Sequence, residues 1–380
     1  KYTPLTGLAE APADTSDRSS PGEPLTIAGA LGIGWREDRT PGLRADLPTG
    51  VRVLGLAAAL DALPERLRPV LEGLDTGHPS LAMSALNTAA LGRGLVIDVA
   101  DGVDAGTLSL AWQDGVLAGS GIENARVIVL LVAGESLDLA EHFLTGHPLN
   151  VVNQFVLDAG SRLRHARLQD CPANSWLITR TELSQGEDSE FAQASIDLGL
   201  GLARHDLRTR LAAPGARCVT LGAYLPTGDA HVDHHLDVRH EAPGCSSEQV
   251  FRGVVHDRGT AVFNGRVHVL PGADDSEAHQ SNQNLLLSRE AEVNTKPELI
   301  IEADEVVASH GATVGQLDES AVFYLRSRGG PEPVARRMLT GAFCRSVVDA
   351  ISNEAVRNAF RERLDADLDA ELDAAGERAS

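Results

Sequence analysis

Lysine is nearly absent from this chain of 380 residues, which carries only Lys1 and Lys296. A phosphate-cradling P-loop needs Gly-Lys-Ser/Thr, whereas Lys296 stands between Thr295 and Pro297, so the chain has no such nucleotide site. The arginines are scattered, and 54 acidic residues against 33 basic ones give a net charge of -21. Nucleic acid and anionic membrane surfaces both require a concentrated basic footprint, so neither is expected as a partner. Cysteine is also scarce. Cys171, Cys218, Cys245 and Cys344 lie too far apart for a zinc knuckle or a Cys-x-x-Cys pair and are too few for a disulfide framework, which points to a reducing cytoplasm. Aromatic residues make up 4% of the chain, so aliphatic side chains must supply most of the core. The longest apolar run, "ARVIVLLVAG" at 125–134, is too short to span a bilayer. The opening "KYTPLTGLAEAPADTSDRSSPGEP" lacks the charged-then-apolar pattern of a secretory signal, and because it starts on Lys1 the natural beginning is expected upstream. Neither a Gly-x-Ser-x-Gly elbow nor a His-Glu-x-x-His helix occurs, which removes two common hydrolase designs.

What is present divides into three regions, and the length is ample for a sizeable core. Residues 1–88 combine a Pro/Gly/Asp-rich opening with "VRVLGLAAALDALPERLRPVLEGL", where apolar residues recur at helical spacing around Pro64; a mostly helical N-terminal region is expected. From 89 to 318 short alternating runs are broken by Gly, Asp, Asn and Pro. Ile196, Leu198, Leu200 and Leu202 alternate in one such run, and Val219, Leu221, Ala223 and Leu225 in another. The runs recur every 15 to 25 positions or so without long helices between them, which predicts a β-solenoid or a large sandwich and not a βαβ fold. Stacked aliphatic rungs suit a chain so poor in aromatics. From 319 to 380 the period becomes helical. Met338, Leu339, Ala342, Phe343, Val347 and Ile351 are expected on one stripe, with Pro331 and Pro333 at a helix start. The acidic tail places Leu364, Leu368 and Leu372 on one face and is expected to fray.

Three motifs bear on chemistry. In "HVDHHLDVRH" at 231–240, strand alternation sends Val232, His234, Leu236, Val238 and His240 one way and His231, Asp233, His235 and Asp237 the other. The second set has the donors of a divalent-metal site, which gives one reading, a β-helical metalloenzyme using His231, Asp233 and His235. The other reading is a polar strand face, with His234 and His240 stacked inside. "DLGLGLA" at 197–203 imitates a dinucleotide fingerprint but lies within an expected strand and opens no helix, so it is read as structural. "EADEVVASHGATVG" at 302–315 ends an alternating run on Ser309-His310-Gly311, a lone imidazole beside a glycine at the expected strand end.

Residues 261–330 carry "FNG", "Q-x-N-x-x-L-L-L-S", "NTKPELIIEAD", "SHGATVG" and "FYLRSRG" in order, and this segment resembles the SufB/SufD family of iron–sulfur cluster assembly proteins. Weaker similarity extends through "HHLDVRHEAPGCSS" and "LNTAALGRGLVIDVADGV". "SHGATVG" is the SufD form; SufB carries a His-Glu-Ala variant. The resemblance implies a right-handed parallel β-helix at 89–318 flanked by helical ends. It further implies pairing with SufB and a SufC ATPase docked on the C-terminal helices, around Met338, Leu339, Ala342 and Phe343. It makes His310 the residue beside which a nascent cluster is built at the SufB–SufD interface, with Gly311 allowing close backbone approach. Many SufD sequences have a cysteine two residues before this histidine; here it is Ala308, so the resemblance implies that most of the sulfur ligation comes from the partner. The implied role is a non-catalytic scaffold holding no tight cofactor of its own and a transient iron–sulfur cluster within the complex. A homodimer formed when the true partner is absent is the remaining alternative, since an open β-helix edge favours self-pairing.

Overall fold

The computed structural model describes residues 23–35, 40–43, 46–75, 81–113, 121–173, 175–199 and 201–379, with side chains through residue 368. The opening 1–22, Leu200 and the side chain of Leu372 lie outside the described residues. Region 1–88 supplies strands as well as the expected helices: β1 (Leu31–Trp35), β2 (Pro41–Leu43) and β3 (Val51–Gly55), then α1 (Leu56–Ala62), α2 (Pro64–Glu72) and α3 (Ala82–Ala89). Pro64 starts α2, where its missing amide proton costs nothing.

Strands then follow one another through short corners: β4 (Arg93–Val99), β5 (Asp104–Trp112), β6 (Glu123–Leu131), β7 (Ser136–Phe143), β8 (Leu149–Leu157), β9 (Arg162–Gln169), β10 (Trp176–Gln185) and β11 (Glu190–Asp197). They continue as β12 (Leu202–Leu211), β13 (Arg217–Tyr224), β14 (His231–His240), β15 (Ser246–Val255), β16 (Thr260–Val269), β17 (Ser276–Leu286), β18 (Glu292–Ile301) and β19 (Val306–Gly315). Even-numbered strands from β4 to β18 form one sheet and odd-numbered strands from β5 to β19 the other, each pairing in parallel with the strand one turn away. The result is a parallel β-solenoid, with the N-terminal strands joined on: β1 runs parallel to β5 and β3 antiparallel to β4. At the corners Asp188, Asp257 and Asp275 take positive φ, a conformation that aspartate tolerates better than most side chains.

The alternating run at 196–202 is two strands. β11 ends at Asp197 and β12 begins at Leu202, so "DLGLGLA" turns a corner. A Cβ on Gly199 would overlap the Gln169 side chain, and one on Gly201 would overlap Ser175. Close stacking of successive turns, and not a cofactor, therefore accounts for both glycines.

Apolar residues fill the interior, among them Leu95, Leu110, Val129, Phe155, Leu177, Leu236 and Val267. The few aromatics fit because small neighbours make room. A Cβ on Gly222 would strike the ring of Phe251, and one on Gly253 would strike Tyr224. Beside the expected aliphatic rungs, a directed hydrogen-bond chain runs through the middle turns. Arg167 donates to Thr179 (2.8 Å), and Thr179 donates to Nδ1 of His205 (2.9 Å). His205 donates from Nε2 to Gln193 (3.2 Å), Gln193 donates to Nδ1 of His165 (3.1 Å), and His165 donates to Glu141 (2.7 Å). Burial pushes the Glu141 carboxyl up, but the His165 and Trp112 hydrogen bonds and the Arg167 charge outweigh it and hold the group below the usual carboxylate range. Burial pushes His165 and His205 down, so both rings are neutral and each donates from one nitrogen while accepting at the other.

After the solenoid come α4 (Glu319–Ser327), α5 (Glu332–Val348) and α6 (Glu354–Ala379). Cys344, Val347, Val348, Phe360, Leu364 and Leu368 pack against Ala166, Ala194, Ile196, Ala223 and Val254 on the outer face of the odd-numbered sheet. Alanines on the sheet let the helices approach closely. Among the described residues no helix is long and apolar enough to cross a membrane.

Candidate functional site

His310 lies in the middle of β19 and not at a strand end, and Gly311 beside it continues the strand instead of turning it. β19 is the outermost strand of its sheet, paired only with β17; β18 is likewise outermost, paired only with β16. Each therefore presents one row of backbone N–H and C=O groups without a neighbouring strand. Both belong to the last turn, so the two open edges lie at the same end of the solenoid. Burial changes there: β16 alternates buried and half-buried positions, whereas most of β19 is exposed. Val307 is 61% exposed, and Ile301 and Val314 are also open to solvent.

Register defines how His310 points. Ala278 pairs with Ala308, His279 with Ser309 and Gln280 with His310. Ala308 packs against the interior core, so alternation directs His310 and Ala312 to the inward face as well, over the open mouth of the solenoid. Ser309 faces outward, where its hydroxyl meets Nδ1 of His279 at 2.9 Å. The residues beneath the mouth are polar. Gln280 donates to Gln249 (2.7 Å), and Tyr224, Asn284 and Asn282 close a ring of hydrogen bonds at 2.6, 2.7 and 2.8 Å. Gln280, Asn282 and Asn284 are the inward-facing positions of "QSNQN" in β17, a role that the motif's order alone does not disclose.

No thiol opens near this mouth. All four cysteines are buried and none is in a disulfide, and burial pushes the Cys218 thiol up to about 12. Burial also raises Cys245, against the hydrogen bonds of neighbouring backbone groups.

The alternative set on β14 does not form a metal site. His234 and His240 are buried inside as expected, with His234 donating to Asp197 at 2.9 Å. On the outer face Asp233 is fully buried between Arg204 (3.0 Å) and His235 (2.9 Å). A guanidinium bound to the only carboxylate of the set His231, Asp233 and His235 already supplies the positive charge that a metal would bring. Among the described residues no group of three or more His, Cys, Asp or Glu side chains is arranged to hold a metal.

The helical stripe divides. Ala335, Thr340, Gly341, Cys344, Val347 and Val348 face inward along α5, and Ile351 beyond it is buried too. Met338 and Ala342 face solvent, while Leu339 and Phe343 are half-buried, Phe343 lying under the Arg252 guanidinium at 5.6 Å. Adjacent α4 presents Phe323, 71% exposed, and Tyr324, over which Arg328 stacks at 5.0 Å. These two aromatics of "FYLRSRG" were not anticipated as surface residues; they show only once α4 is seen packed by its other face, through buried Val322. Arg336 bridges α5 to α4 through Glu319 at 2.9 Å, and Arg326 reaches back to Glu332 at 3.0 Å.

Residues 116–343 match the family model described as SUF system FeS cluster assembly, SufBD core domain. The chain is 34% identical over 213 residues to an iron-sulfur cluster assembly SufBD family protein of Synechocystis, covering 56% of this chain and 47% of that one. It is 32% identical over 241 residues to the iron-sulfur cluster assembly protein SufD of Escherichia coli, covering 62% of this chain and 56% of that one. Similarity to the chloroplastic protein ABCI7 of Arabidopsis thaliana is 28% over 332 residues, covering 84% and 69%. The matched segments thus span about half the length of the first two relatives. The chain folds as a parallel solenoid and the family model matches more than half of its residues: it belongs to the SufBD family of iron–sulfur cluster assembly proteins.

Proposed function

We propose that this chain is a SufD-like scaffold subunit that pairs through its last turn with a SufB-like subunit and carries a SufC-like ATPase on α4 and α5. The observation that carries the reading is the uncapped last turn, where two adjacent strand edges lack neighbours and His310 stands over the mouth between them. Main-chain pairing of a second β-helix onto these edges would satisfy the open backbone groups and place His310 inside the joint. A neutral imidazole is a borderline ligand suited to iron, and the cluster under construction is cargo. With every cysteine of this chain buried, the partner supplies the thiolates.

Phe323, Tyr324 and Met338 form the apolar part of the ATPase dock, with Ala342, Leu339 and Phe343 beside it. The chain does no chemistry of its own, and ATP hydrolysis belongs to the docked subunit. Only Gln316, Leu317 and Asp318 separate β19 from α4, so movement of a docked ATPase would be transmitted directly to the strand that bears His310. The reading is tested by co-expression with matching SufB-like and SufC-like chains, followed by mass-resolved size exclusion and iron and sulfide analysis. A complex with one copy of this chain, whose cluster content falls at least severalfold in His310→Ala, is the expected result. Unchanged cluster content in that variant would remove His310 from the site.

A further inference from the structure

The inward face of the odd-numbered sheet carries one continuous column. Parallel register stacks His165 on Gln193, Gln193 on Thr220, Thr220 on Gln249, Gln249 on Gln280 and Gln280 on His310. Gln280 is 3% exposed, and its Nε2 is engaged by Gln249 at 2.7 Å. Its Oε1 is shut off from solvent and, among the described residues, has no hydrogen-bond partner. Burying a carbonyl without a donor is unfavourable, so an acceptor in that state here calls for an explanation. No hydrogen bond from another described residue reaches the His310 ring one step along the column. A glutamine and a histidine that are register neighbours also meet at the other end, with the opposite polarity: Gln193 donates at 3.1 Å to Nδ1 of His165, whose proton is on Nε2 facing Glu141. Room for the amide is built in from the opposite sheet, since a Cβ on Gly265 would overlap Nε2 of Gln280.

We propose that Gln280 is a positioning residue for His310: its Oε1 accepts the Nδ1 proton, fixing the tautomer that leaves the Nε2 lone pair free to face the cargo. The hydrogen bond at one ring nitrogen decides which nitrogen can ligate, and orientation by such a partner is a common requirement of histidine ligands. The significance for cluster assembly rests on the reading of His310 given above; the pairing itself does not.

The test uses the full chain labelled with 15N-histidine, the His310 signal being identified by its loss in His310→Ala. Spectra are recorded well above the protonation range of the ring, and the tautomer is read from the nitrogen shifts. The Nδ1–H form, the minority form of a free histidine side chain, should dominate. Gln280→Met keeps the length and deletes the acceptor, so the ratio should swing toward Nε2–H by about tenfold, the equivalent of one net hydrogen bond. Gln280→Glu restores an acceptor oxygen and should recover the original ratio. An Nε2–H majority in the unmodified chain overturns the proposal, as does an unchanged ratio in Gln280→Met with the other histidine signals in place. Cluster content of the reconstituted complex is the separate readout. A tautomer shift in Gln280→Met together with full cluster content in His310→Ala upholds the pairing and sinks the cluster-site reading. Lost cluster content with an unmoved tautomer does the reverse.

Discussion

Gly265, in "FNG", is held by a residue of another motif, since any side chain there would meet the Gln280 amide across the core. Gly265→Ala should therefore destabilise the protein by about 1–3 kcal/mol, as overpacking does, and Gln280→Ala in the same chain should return part of that loss. Urea unfolding of the four members of the cycle measures the coupling; strict additivity would show that the two residues do not meet. His240 makes a different prediction at the same scale. Burial pushes this imidazole down to about 4 from its ordinary 6.5, so between those values the unfolded chain binds a proton that the folded one refuses. Its contribution is complete above pH 6.5 and is lost as pH falls toward 4, on the order of a few kcal/mol at the limit. Glu135 works with the opposite sign. Burial raises it to about 7, against a backbone hydrogen bond, so its contribution is present below 4.5 and lost as pH rises toward 7. The difference between the parent and His240→Gln isolates the imidazole: the variant should lose less stability between pH 7.5 and pH 5 in urea titrations.

At the scale of the element, α6 is fastened to the solenoid by polar ties as well as by its apolar face. Arg363 grips both oxygens of Asp170 at 2.6 Å, and Asn353 caps the start of α6 while donating to Thr107 (3.0 Å) and Asp138; Arg345 of α5 ties the two helices together through Asp365 at 2.7 Å. Arg363→Ala leaves Asp170, largely buried beside His142, without its strongest counter-charge. Hydrogen exchange should then rise in α6 with no change in β14 or β16, because the two interiors are packed separately. Uniform protection throughout would mean that the apolar face alone holds the helix. The division of the α5 stripe belongs here too. Helical spacing put Val347 and Ile351 on one stripe with Met338 and Ala342; the first two are buried and the second two turn away, since which side of α5 meets the sheet depends on where the sheet lies.

At the scale of the whole molecule, an open end close to the exposed apolar side chains Phe323, Tyr324 and Met338 predicts association behaviour. Val307 and Val314 are exposed on β19. Val307→Lys and Val314→Lys together should block edge pairing, because lysines on an edge strand oppose the approach of another strand. Sedimentation or mass-resolved size exclusion should show that the double variant fails to join a SufB-like chain and also loses any self-association of the isolated protein. Retained pairing would place the interface elsewhere. The same variant should keep its thermal stability, since neither residue is buried.

The solenoid was legible because its signal is local and repeated: alternation within each strand and glycine or aspartate at most corners are written residue by residue, and five ordered motifs carried the family. The absence of a P-loop motif was legible for the same reason, being a matter of which residues exist. Register was not. It joins residues about a turn apart, and no local period says that Gln280 lies beneath His310, that Gly265 faces Gln280, or that Glu141 and His165 meet inside the core. Composition suggested aliphatic rungs, yet the interior holds charged and amide side chains because stacking turns brings their donors and acceptors into line, and a buried polar group with a partner is tolerated where one without is not. Sequence by itself determined the architecture and the kinship of this protein. Only the tertiary structure decided which end stays open, which way His310 points and what lies under it, because each of these depends on contacts between segments far apart in the chain.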